Sequence, residues 1–293
     1  MTAAVGIDVG GSNLKAVRLV EGEVDVRERM PTPSTPDAIL SAVAEVAARL
    51  GPGLPVGVGL AGLVDHLRGV LVWAPHLPGE EVAFAAPLRR RLGVDVTVDN
   101  DANLAALGEH EIGRRRGTTA TLTIGTGIGL GIVVDGHIFH GAAHAGEVGH
   151  ITVEPGGERC PCGRRGCWET RISGRRLDAD AAEVLGPGAG AADLVDAARR
   201  GDRAAGARLD EAAGWLAWGI EALVLAYDPD EVVVGGGVAG AGNLLLEPVR
   251  RRLAATEGAG RRPSIPVGAG ILGPDAGAVG AAMAAVRSSE GTK

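Results

Sequence analysis

The chain has 293 residues, 45% of them apolar and 22% charged, which is the composition of a globular protein. Its length exceeds one typical domain and falls short of three, so we expect two lobes or one large α/β unit. The net charge of −7, without a long basic block or a run of about 18 apolar residues, argues against nucleic acid, anionic lipid or a membrane core as the main partner. The opening sequence MTAAVGIDVGG lacks the basic and apolar regions of a secretory signal, so we expect a cytoplasmic protein that acts on a small molecule.

The first part of the chain is typical of a β-meander followed by alternating helices and strands. Ala3–Asp8, Leu14–Val20 and Glu23–Met30 have strand character and are separated by turns that contain glycine, which predicts three antiparallel strands. Beyond them, apolar spacing and capping residues predict two helices and two buried strands. These elements are the helices Pro36–Leu50 and Asp101–Ile112 and the strands Val56–Leu60 and Val94–Val98.

The same plan starts again near residue 119. Three strands separated by turns that contain glycine are followed by a long amphipathic helix, a buried strand and a last apolar helix. This repetition predicts two similar lobes that face each other across a cleft. The elements are the strands Thr119–Ile124, Leu130–Val134, His137–Phe139 and Glu231–Val234 and the helices Ala205–Tyr227 and Ala276–Val286, with Arg287–Lys293 as a frayed tail.

Three glycine turns next to predicted strands could bring bare backbone close to a nucleotide. The first, Asp8–Lys15, joins two strands; its glycines let amide N–H groups reach a phosphate, and Asp8 could hold a hydrated Mg²⁺. Thr123–Gly129 repeats this arrangement, and Gly235–Gly237 follows a buried strand where a base or ribose could lie. Taken singly, each turn is also explained as an ordinary hairpin turn or a packing glycine, so the argument depends on their recurrence.

All three cysteines lie close together in the sequence, and a histidine precedes them. Cys160, Cys162 and Cys167 with His150 make a Cys₃His set, and the glycines and proline among the cysteines allow the tight turns of a tetrahedral zinc site. Four protein ligands leave no open position, so the predicted zinc is structural. The alternatives are a redox pair with a spare thiol and buried, inert cysteines.

Three carboxylates are candidates for contacts to a substrate. Glu147 and Glu169 flank the metal ligands and could bind sugar hydroxyls, because a carboxylate accepts several hydrogen bonds. Asp101, at the start of a predicted helix, could accept the proton of an attacking hydroxyl. The alternatives are solvated surface glutamates and a carboxylate that only stabilises the helix dipole. The other histidines are interpreted as mostly structural or exposed: His66, His76, His110, His137, His140 and His144.

With these residues identified, the sequence resembles the sugar kinases of the ROK family (repressor, open reading frame, kinase), within the actin-like/hexokinase ATPase superfamily. The resemblance covers essentially the whole chain. Asp99–Asn103 is similar to the catalytic motif ENDAN, Ala145–His150 to AGEIGH and Cys160–Glu169 to CxCGxxGCxE, and these three motifs are highly specific. The less specific likenesses are Asp8–Lys15 to the phosphate motif DxGGTxxK, Gly59–Asp65 to GxPGxVD, Gly125–Gly129 to the second phosphate motif and Val233–Gly237 to the adenosine segment.

The resemblance implies a two-lobed actin-like ATPase (ribonuclease H-like) fold of the α/β class, in which each lobe is a mixed β-sheet flanked by helices. The small lobe would comprise residues 1–115, with the C-terminal helix, about 276–293, packing back on it. The large lobe would comprise residues 116–275, with a zinc-binding loop at 150–169. The family also implies a homodimer or a homotetramer.

The resemblance further implies phosphorylation of a hexose, usually on O6, with ATP, Mg²⁺ and a structural Zn²⁺ as cofactors. Asp101 would be the general base, and His150 would serve twice, with one ring nitrogen on zinc and the other toward the sugar. The implied sugar contacts are Gly62, Asn100, Asp101, Glu147, His150 and Glu169. The implied contacts to ATP and Mg²⁺ are Asp8, Gly10, Gly11, Ser12, Asn13, Lys15, Gly125, Thr126, Gly127, Gly236 and Gly237.

The sequence departs from the family pattern near the implied sugar site. Ala61, Asp99 and Ser12 replace the usual proline, glutamate and threonine, which are mild changes, but His76 and Glu80 lie where the family has an Asn-Leu pair and then a tryptophan. The expected activity is that of a glucokinase. Because of His76 and Glu80, an amino sugar (of the kanosamine, N-acetylmannosamine or N-acetylglucosamine type) or a C7-cyclitol is the alternative substrate. A sugar-responsive regulator without activity is disfavoured, because the first phosphate strand begins at residue 3 and leaves no room for a DNA-binding domain. Polyphosphate stays open as an alternative donor.

Overall fold

The structure is a computed structural model that describes residues 2–142, 145–255 and 265–291. By internal contacts the chain forms two compact units. The first comprises Met1–Arg115, Gly131–Gly146 and Pro274–Lys293, and the second comprises Arg116–Leu130 and Glu147–Gly273. The predicted lobe boundaries, which place residues 131–146 with the second half of the chain, stay a prediction.

The first unit is built on a five-stranded sheet in which the predicted meander is extended by two parallel strands. Its order is β3-β2-β1-β4-β8, with β4 parallel to β1 and β8 parallel to β4. In this register Asp8 lies beside Gly59, and Gly59 beside Asp99, so the carboxyl ends of the three parallel strands meet at one edge. The strands are β1 (Ala3–Val9), β2 (Asn13–Val20), β3 (Glu23–Pro31), β4 (Val56–Leu60) and β8 (Val96–Asn100).

A smaller sheet that the sequence analysis did not predict follows β4. Its three short strands pair antiparallel in the order β5-β6-β7. They are β5 (Leu63–Asp65), β6 (Val70–Trp73) and β7 (Val82–Ala83). Strands this short have little hydrophobic periodicity of their own, which is why the sequence pattern did not indicate them.

The second five-stranded sheet repeats the plan of the first. Its order is β11-β10-β9-β12-β13, with β12 parallel to both β9 and β13. The predicted α/β class with mixed sheets is therefore confirmed. The strands are β9 (Thr118–Ile124), β10 (Ile128–Val134), β11 (His137–Ile138), β12 (Glu231–Gly235) and β13 (Val267–Ala269).

Eight α-helices lie in the described part of the chain, and several begin at the capping residues that the sequence suggests. Thr35 accepts a hydrogen bond from the amide of Ala38 at the start of the first helix, where Pro36 occupies the first turn. None of the helices there combines the length and the apolar character that a membrane crossing requires. The helices are α1 (Pro36–Leu50), α2 (Ala85–Leu92), α3 (Asp101–Ile112), α4 (Gly174–Leu185), α5 (Ala191–Arg199), α6 (Arg203–Tyr227), α7 (Asn243–Ala255) and α8 (Ala276–Gly291).

Helix α8 packs on the first sheet through close backbone contacts. A Cβ atom at Gly6 or Gly57 would overlap the backbone of α8, and a Cβ at Gly280 of that helix would overlap the carbonyl oxygen of Leu104 in α3. Ala278 and Ala281, which face these contacts, are fully buried. Small residues on both sides therefore let the helix lie directly on the strands, and dispersion contacts hold it there.

The predicted end of the last helix at Val286 is wrong, because α8 continues to Gly291. Arg287 lies in the helix and forms an ion pair with Glu111 and a hydrogen bond to the carbonyl oxygen of Gly136. These long-range contacts stabilise one more turn than the apolar pattern indicates. Residues 292 and 293 of the predicted tail lie outside the described residues.

We expect Gly57→Ala to lower the free energy of unfolding by about 1–3 kcal/mol, because the added methyl group pushes α8 away from the sheet. The matched control is Gly206→Ala in α6, where a Cβ would meet no atom within 4 Å, and here we expect no loss or a gain of about 0.5–1 kcal/mol. Urea unfolding of both variants measures the difference. Equal losses in the two variants would refute the close-packing interpretation.

Candidate active site

The first glycine turn lies between β1 and β2 and is flanked by a partly buried ion pair. Asp8 pairs directly with Lys15 across the two strands, and the Lys15 Nζ lies 3.3 Å from the Asp8 Oδ2. Asp8 is only 8% exposed, and burial raises the pKa of its carboxyl group, while the nearby lysine acts in the opposite direction. A buried carboxylate in this state is a group that a divalent cation would stabilise, so Asp8 fits the predicted Mg²⁺ contact.

The backbone of this turn is held through its carbonyl groups. The Gly10 amide donates to the Asn13 carbonyl oxygen at 3.0 Å, and Thr32 binds the Gly10 and Ser12 carbonyl oxygens at 2.6 and 3.1 Å. Within the described residues, no hydrogen bond uses the amide N–H of Gly11 or Ser12. Two exposed amide donors in adjacent positions are what a phosphate oxygen requires.

Asn100 and Asp101 lie where strand β8 passes into helix α3. The Asn100 Oδ1 accepts the amides of Ala102 and Asn103 at 2.8 and 3.1 Å, which makes Asn100 the N-cap of the helix. Its Nδ2 donates to the Gly62 carbonyl oxygen at 3.0 Å, so the loop after β4 is tied to the same point. Asp101 is the first residue of α3, and its Oδ1 accepts the Ala102 amide at 2.9 Å. The first unit thus brings three of the predicted sugar contacts together: Gly62, Asn100 and Asp101.

The second glycine turn joins β9 to β10 and contacts Glu169. The Ile128 amide donates to the Glu169 Oε2 at 3.1 Å, and a Cβ at Gly127 would overlap that same oxygen. On the other side, the Gly174 amide donates to the Gly125 carbonyl oxygen at 2.6 Å. The turn is therefore held by the segment 169–174 that follows the cysteines.

The third glycine turn lies beside the second because β12 pairs with β9. Gly236 has φ +79°, and a Cβ there would lie 2.5 Å from the Ile124 carbonyl oxygen, so this position requires glycine. Gly237 begins a 3₁₀ helix that runs to Ala241, and a Cβ there would meet no atom within 4 Å. The open space at Gly237 next to the second turn is suited to the predicted nucleotide contact.

The four predicted zinc ligands converge in the second unit. The ligand atoms of His150, Cys160, Cys162 and Cys167 all lie within 4.8 Å of one another. The Cys160 Sγ lies 3.7 Å from the His150 Nδ1, and the Cys162 and Cys167 sulfurs lie 3.6 Å apart. A tetrahedron with Zn–S bonds of about 2.3 Å separates its sulfurs by about 3.8 Å, so the donor set fits zinc.

The electrostatics of the cysteines also fit a metal. Burial and the neighbouring thiols raise the pKa of Cys167 to about 12. Burial also raises the pKa of Cys160. Burial acts in the same direction on Cys162, but hydrogen bonds from the Arg164 backbone and the two other cysteines lower the pKa of Cys162 overall. Without a cation, a thiolate at one cysteine therefore opposes ionisation of its neighbours. Zn²⁺ would supply the positive charge that lets all three cysteines ionise, as a structural site requires.

The two flanking glutamates lie next to the metal ligands but in different surroundings. Glu147 shares a 3₁₀ helix, Glu147–His150, with the histidine ligand, is exposed, and has its Oε2 4.0 Å from the His150 Nε2. Glu169 is buried, with its Oε1 3.9 Å from the Cys160 Sγ and 3.1 Å from the Arg175 Nη2. The His150 Nδ1 is therefore on the metal side of the ring, while its Nε2 faces Glu147. The sequence analysis did not identify Arg175 as a neighbour of this site.

A model of the ROK family matches residues 4–288 of this sequence. The chain belongs to the ROK family. The glucokinase of Streptomyces coelicolor is 36% identical to it, over an alignment that covers 96% of this chain and 97% of that protein. The crystal structure of a ROK family glucokinase from Streptomyces griseus in complex with glucose and AMPPNP is 34% identical, has a TM-score of 0.87, and covers 97% of this chain and 99% of that one. The ROK hexokinase of Thermus thermophilus is 33% identical, with a TM-score of 0.81 and 99% of both chains covered. The predicted family and its actin-like ATPase fold are confirmed.

Within this ROK chain, the sequence analysis missed one group of ionisable residues in the first unit. His140 contacts both Asp99 and His66, although the three residues are far apart in the sequence. The sequence analysis interprets both histidines as mostly structural or exposed, since a contact between distant segments leaves no local pattern. His144, which was interpreted in the same way, lies outside the described residues.

We expect the purified protein to hold one zinc ion per chain and Cys162→Ser to lose it, since three ligands bind zinc at least about tenfold more weakly than four. The variant should melt at a lower temperature, because the ion organises the segment 150–169. Elemental analysis and a thermal melt measure the two effects. Arg164→Ala, at an exposed position between the ligands, is the control and should keep both the zinc and the melting temperature. A wild-type protein that contains no zinc, together with a Cys162→Ser variant that melts at the wild-type temperature, would overturn the assignment.

Proposed function

We propose that this chain transfers the γ-phosphoryl group of ATP to the 6-hydroxyl of glucose or a close analogue. The observation that carries the proposal is the likeness, over nearly the whole chain, to a ROK glucokinase whose structure contains glucose and AMPPNP, an ATP analogue. The glycine turns and the carboxylates described above supply groups that this reaction needs. The chain would act as a soluble cytoplasmic enzyme.

Phosphoryl transfer depends mainly on the alignment of the hydroxyl with the phosphate and on the neutralisation of charge. In this proposal, Asp101 is the general base that accepts the proton of the attacking hydroxyl, and Asn100 binds the sugar beside it. The rigid N-cap supports these roles, because both residues are held at one strand-to-helix junction. A base that is positioned in this way contributes a factor of about 10²–10⁴ to the rate.

The proposed contacts to ATP come from the glycine turns. Bare amides in the first two turns would bind phosphate oxygens, and the third turn would lie against the adenosine. Mg²⁺, when bound with ATP, neutralises charge on the phosphates, and Asp8 is the residue proposed to hold it through its water shell. The residues proposed for these contacts are Asp8, Gly10, Gly11, Ser12, Asn13, Lys15, Gly125, Thr126, Gly127, Gly236 and Gly237.

The proposed sugar contacts in the second unit are Glu147, His150 and Glu169. The His150 Nε2 is available for a hydroxyl if the Nδ1 binds zinc, which is consistent with the ring's orientation. The Glu169 carboxylate already binds the Ile128 amide and Arg175, and each of its oxygens can accept a further hydrogen bond. Sugar binding and the second phosphate turn would therefore share this one side chain.

A second candidate is a kinase of the same mechanism that acts on an amino sugar or a C7-cyclitol. The observation that favours it is the position of His76, which is exposed and lies next to the first glycine turn. A Cβ atom added at Gly11 would lie only 2.7 Å from the His76 Cβ. His76 and the exposed Glu80 in this loop would form hydrogen bonds with polar groups that glucose lacks. Polyphosphate in place of ATP is the alternative donor, and a sugar-responsive regulator without kinase activity is the least favoured alternative.

A panel of sugars and donors tests the proposal. We expect ADP to be released fastest with glucose, ATP and Mg²⁺ in a coupled assay, and glucose 6-phosphate to be the product. Kanosamine, N-acetylmannosamine, N-acetylglucosamine, a C7-cyclitol and polyphosphate are the competing substrates. Turnover of an amino sugar well above that of glucose would replace the first candidate by the second.

Asp101→Asn is the matched inactive control for this panel. We expect its kcat to fall by about 10²–10⁴, because the amide cannot accept the proton, while glucose still binds with an affinity within about tenfold of the wild type. Calorimetry measures the binding, and the coupled assay measures kcat. An active Asp101→Asn variant would remove this residue from its role, and a wild type that binds glucose without turnover would favour a regulator.

We also propose that the chain assembles as a homodimer or a homotetramer. The support is an apolar surface on helix α6, where Trp218 is 44% exposed and Leu225, two turns further along the same face, is 82% exposed.

We expect Leu225→Glu to lower the molar mass measured by light scattering, whereas Leu67→Glu, at an exposed turn of the first unit, should leave the mass unchanged. A monomeric wild type would refute the assembly.

A further inference from the structure

Three ionisable side chains outside the proposed contacts form a compact cluster in the first unit. Asp99 is the penultimate residue of β8, His140 follows β11, and His66 follows β5. The His140 Nε2 lies 2.7 Å from the Asp99 Oδ2. The rings of His140 and His66 are stacked, with their centroids 3.6 Å apart and their planes inclined by 7°. The side chains of Asp99 and His140 are 8% and 23% exposed, so the contact is largely shielded from water.

Asp99 connects this cluster to the start of helix α3. Its Oδ1 accepts the backbone amide of Asn100 at 2.7 Å and the Asn103 Nδ2 at 3.1 Å. One carboxylate oxygen therefore holds the last residue of the strand and the first turn of the helix at the same time. Asp101 lies between these two attachment points in the sequence, so its position depends on how Asp99 is oriented.

His140 fixes that orientation. An ionised carboxylate only accepts hydrogen bonds, so the Nε2 of His140 must carry the proton in this contact. Within the described residues, the hydrogen bonds of the Asp99 side chain are those to Asn100 and Asn103 on Oδ1 and to His140 on Oδ2. Loss of the imidazole donor would leave a buried carboxylate oxygen without this partner, and the carboxylate would then be free to rotate.

His66 makes the cluster sensitive to acid. Burial lowers the pKa of His66 below its ordinary value of 6.5, and the charge of His140 lowers it further, whereas Asp99 and Asp65 act in the opposite direction. A neutral His66 packs on the His140 ring. Once protonated, His66 would carry a positive charge in a ring whose centroid lies 3.6 Å from that of His140, and this charge would compete with His140 for the Asp99 carboxylate. The arrangement is thus intact above the lowered pKa of His66 and is disturbed as the pH falls through it.

We propose that Asp99 and His140 are positioning residues for Asp101, with His66 as the ring that keeps His140 in place. His140 would hold the Asp99 carboxylate, and Asp99 would hold the junction from which the general base extends. The inference rests on the proposed kinase activity and on the role of Asp101 in it. A displacement of about 1 Å at a reacting group can cost about 10² in rate, so a contact of this kind affects turnover without touching the substrates.

The first test compares two substitutions at His140 with a neighbouring control. We expect His140→Leu to lower kcat at least about tenfold, with the KM for ATP changed by less than about threefold, because the defect lies at the base. His140→Gln keeps an N–H donor of similar reach and should recover most of that loss. His137→Leu removes an exposed histidine, three residues earlier, that bonds only to the Asp135 carbonyl oxygen among the described residues, and it should match the wild type. Thermal melts show that each variant is folded at the assay temperature.

The second test uses Asp99→Asn, which keeps the shape of the side chain, and the double variant with His140→Leu. If both residues act through one contact, the kcat of the double variant should lie no more than about twofold below the kcat of the less active single variant. Independent, multiplying losses would overturn the proposal. If His140→Leu does not fold, Asp99→Asn alone still tests the proposal: its kcat should fall at least about tenfold with the KM for ATP changed by less than about threefold, and a wild-type kcat would overturn the proposal.

The third test is a pH profile that a purely structural role would leave unchanged. His66→Phe keeps a stacked ring but removes its titration. The ratio of its kcat to that of the wild type should rise at least about threefold as the pH falls from 7.5 through the lowered pKa of His66, since only the wild type gains a positive charge at position 66. A constant ratio, or a His140→Leu variant with wild-type kcat, would overturn the proposal while the wild type still phosphorylates sugar. A wild type without kinase activity would instead refute the proposed function.

Discussion

The side chain of Asn100 joins the ends of two parallel strands to the start of a helix, and the proposed chemistry of the first unit depends on this junction. Its carbonyl oxygen caps α3, and its amide group holds the Gly62 carbonyl oxygen beyond β4. A hydrogen-bonded N-cap contributes about 1 kcal/mol to a helix, but its larger effect here is geometric. It sets the residue after it, Asp101, at a defined point above the edge of the sheet. Asp99 reinforces the same junction from the strand side.

In the second unit, the cysteine cluster and a buried tryptophan position Glu169, where the first unit uses a capped helix. The segment 150–169 has little regular secondary structure beyond single bridges, such as the one between Thr152 and Cys167. The Cys₃His cluster supplies the organisation that strands or helices would otherwise provide. Trp168, 2% exposed, anchors the segment by packing on Gly219 and donating to the Trp215 carbonyl oxygen at 3.0 Å. Glu169 follows directly, so the tryptophan and the cysteine cluster together determine where its carboxylate meets the second glycine turn.

The buried carboxylates among the proposed site residues and their neighbours share one electrostatic pattern in both units. Asp8 faces Lys15, Glu169 faces Arg175 and a backbone amide, and Asp99 faces His140. Each negative charge is thus paired where burial would otherwise favour the neutral acid. Paired carboxylates keep fixed orientations, and this fixed orientation is what a kinase needs from groups that position a hydroxyl, a cation or a base. The three partners differ in chemistry, and the partner of Asp99 is stacked on a further histidine, His66, which gives this contact its expected acid sensitivity.

Local sequence signals were sufficient for much of this fold and for the residue types of the site. The meander, helices α1 and α3, the buried strands and the glycine turns all follow from periodicity, capping and turn chemistry, which act over a few residues. The cysteine spacing likewise predicted a converging ligand set, because all four donors lie within one short stretch of chain. Asp101, Glu147 and Glu169 were candidates from their positions beside a predicted helix start and the metal ligands, and the resemblance to the ROK family then implied their roles.

Contacts between distant segments were decided only by tertiary structure. The last turn of α8 forms because Arg287 reaches Glu111, and Glu169 meets the second turn because β9 and the segment 169–174 fold together. His140 meets Asp99, and His66 stacks on His140, only because strand β8 and the segments after β5 and β11 come together. A sequence records which donors and acceptors exist and how neighbours along the chain behave. Which buried carboxylate meets which imidazole depends on packing across the sheet, where no local periodicity carries the information.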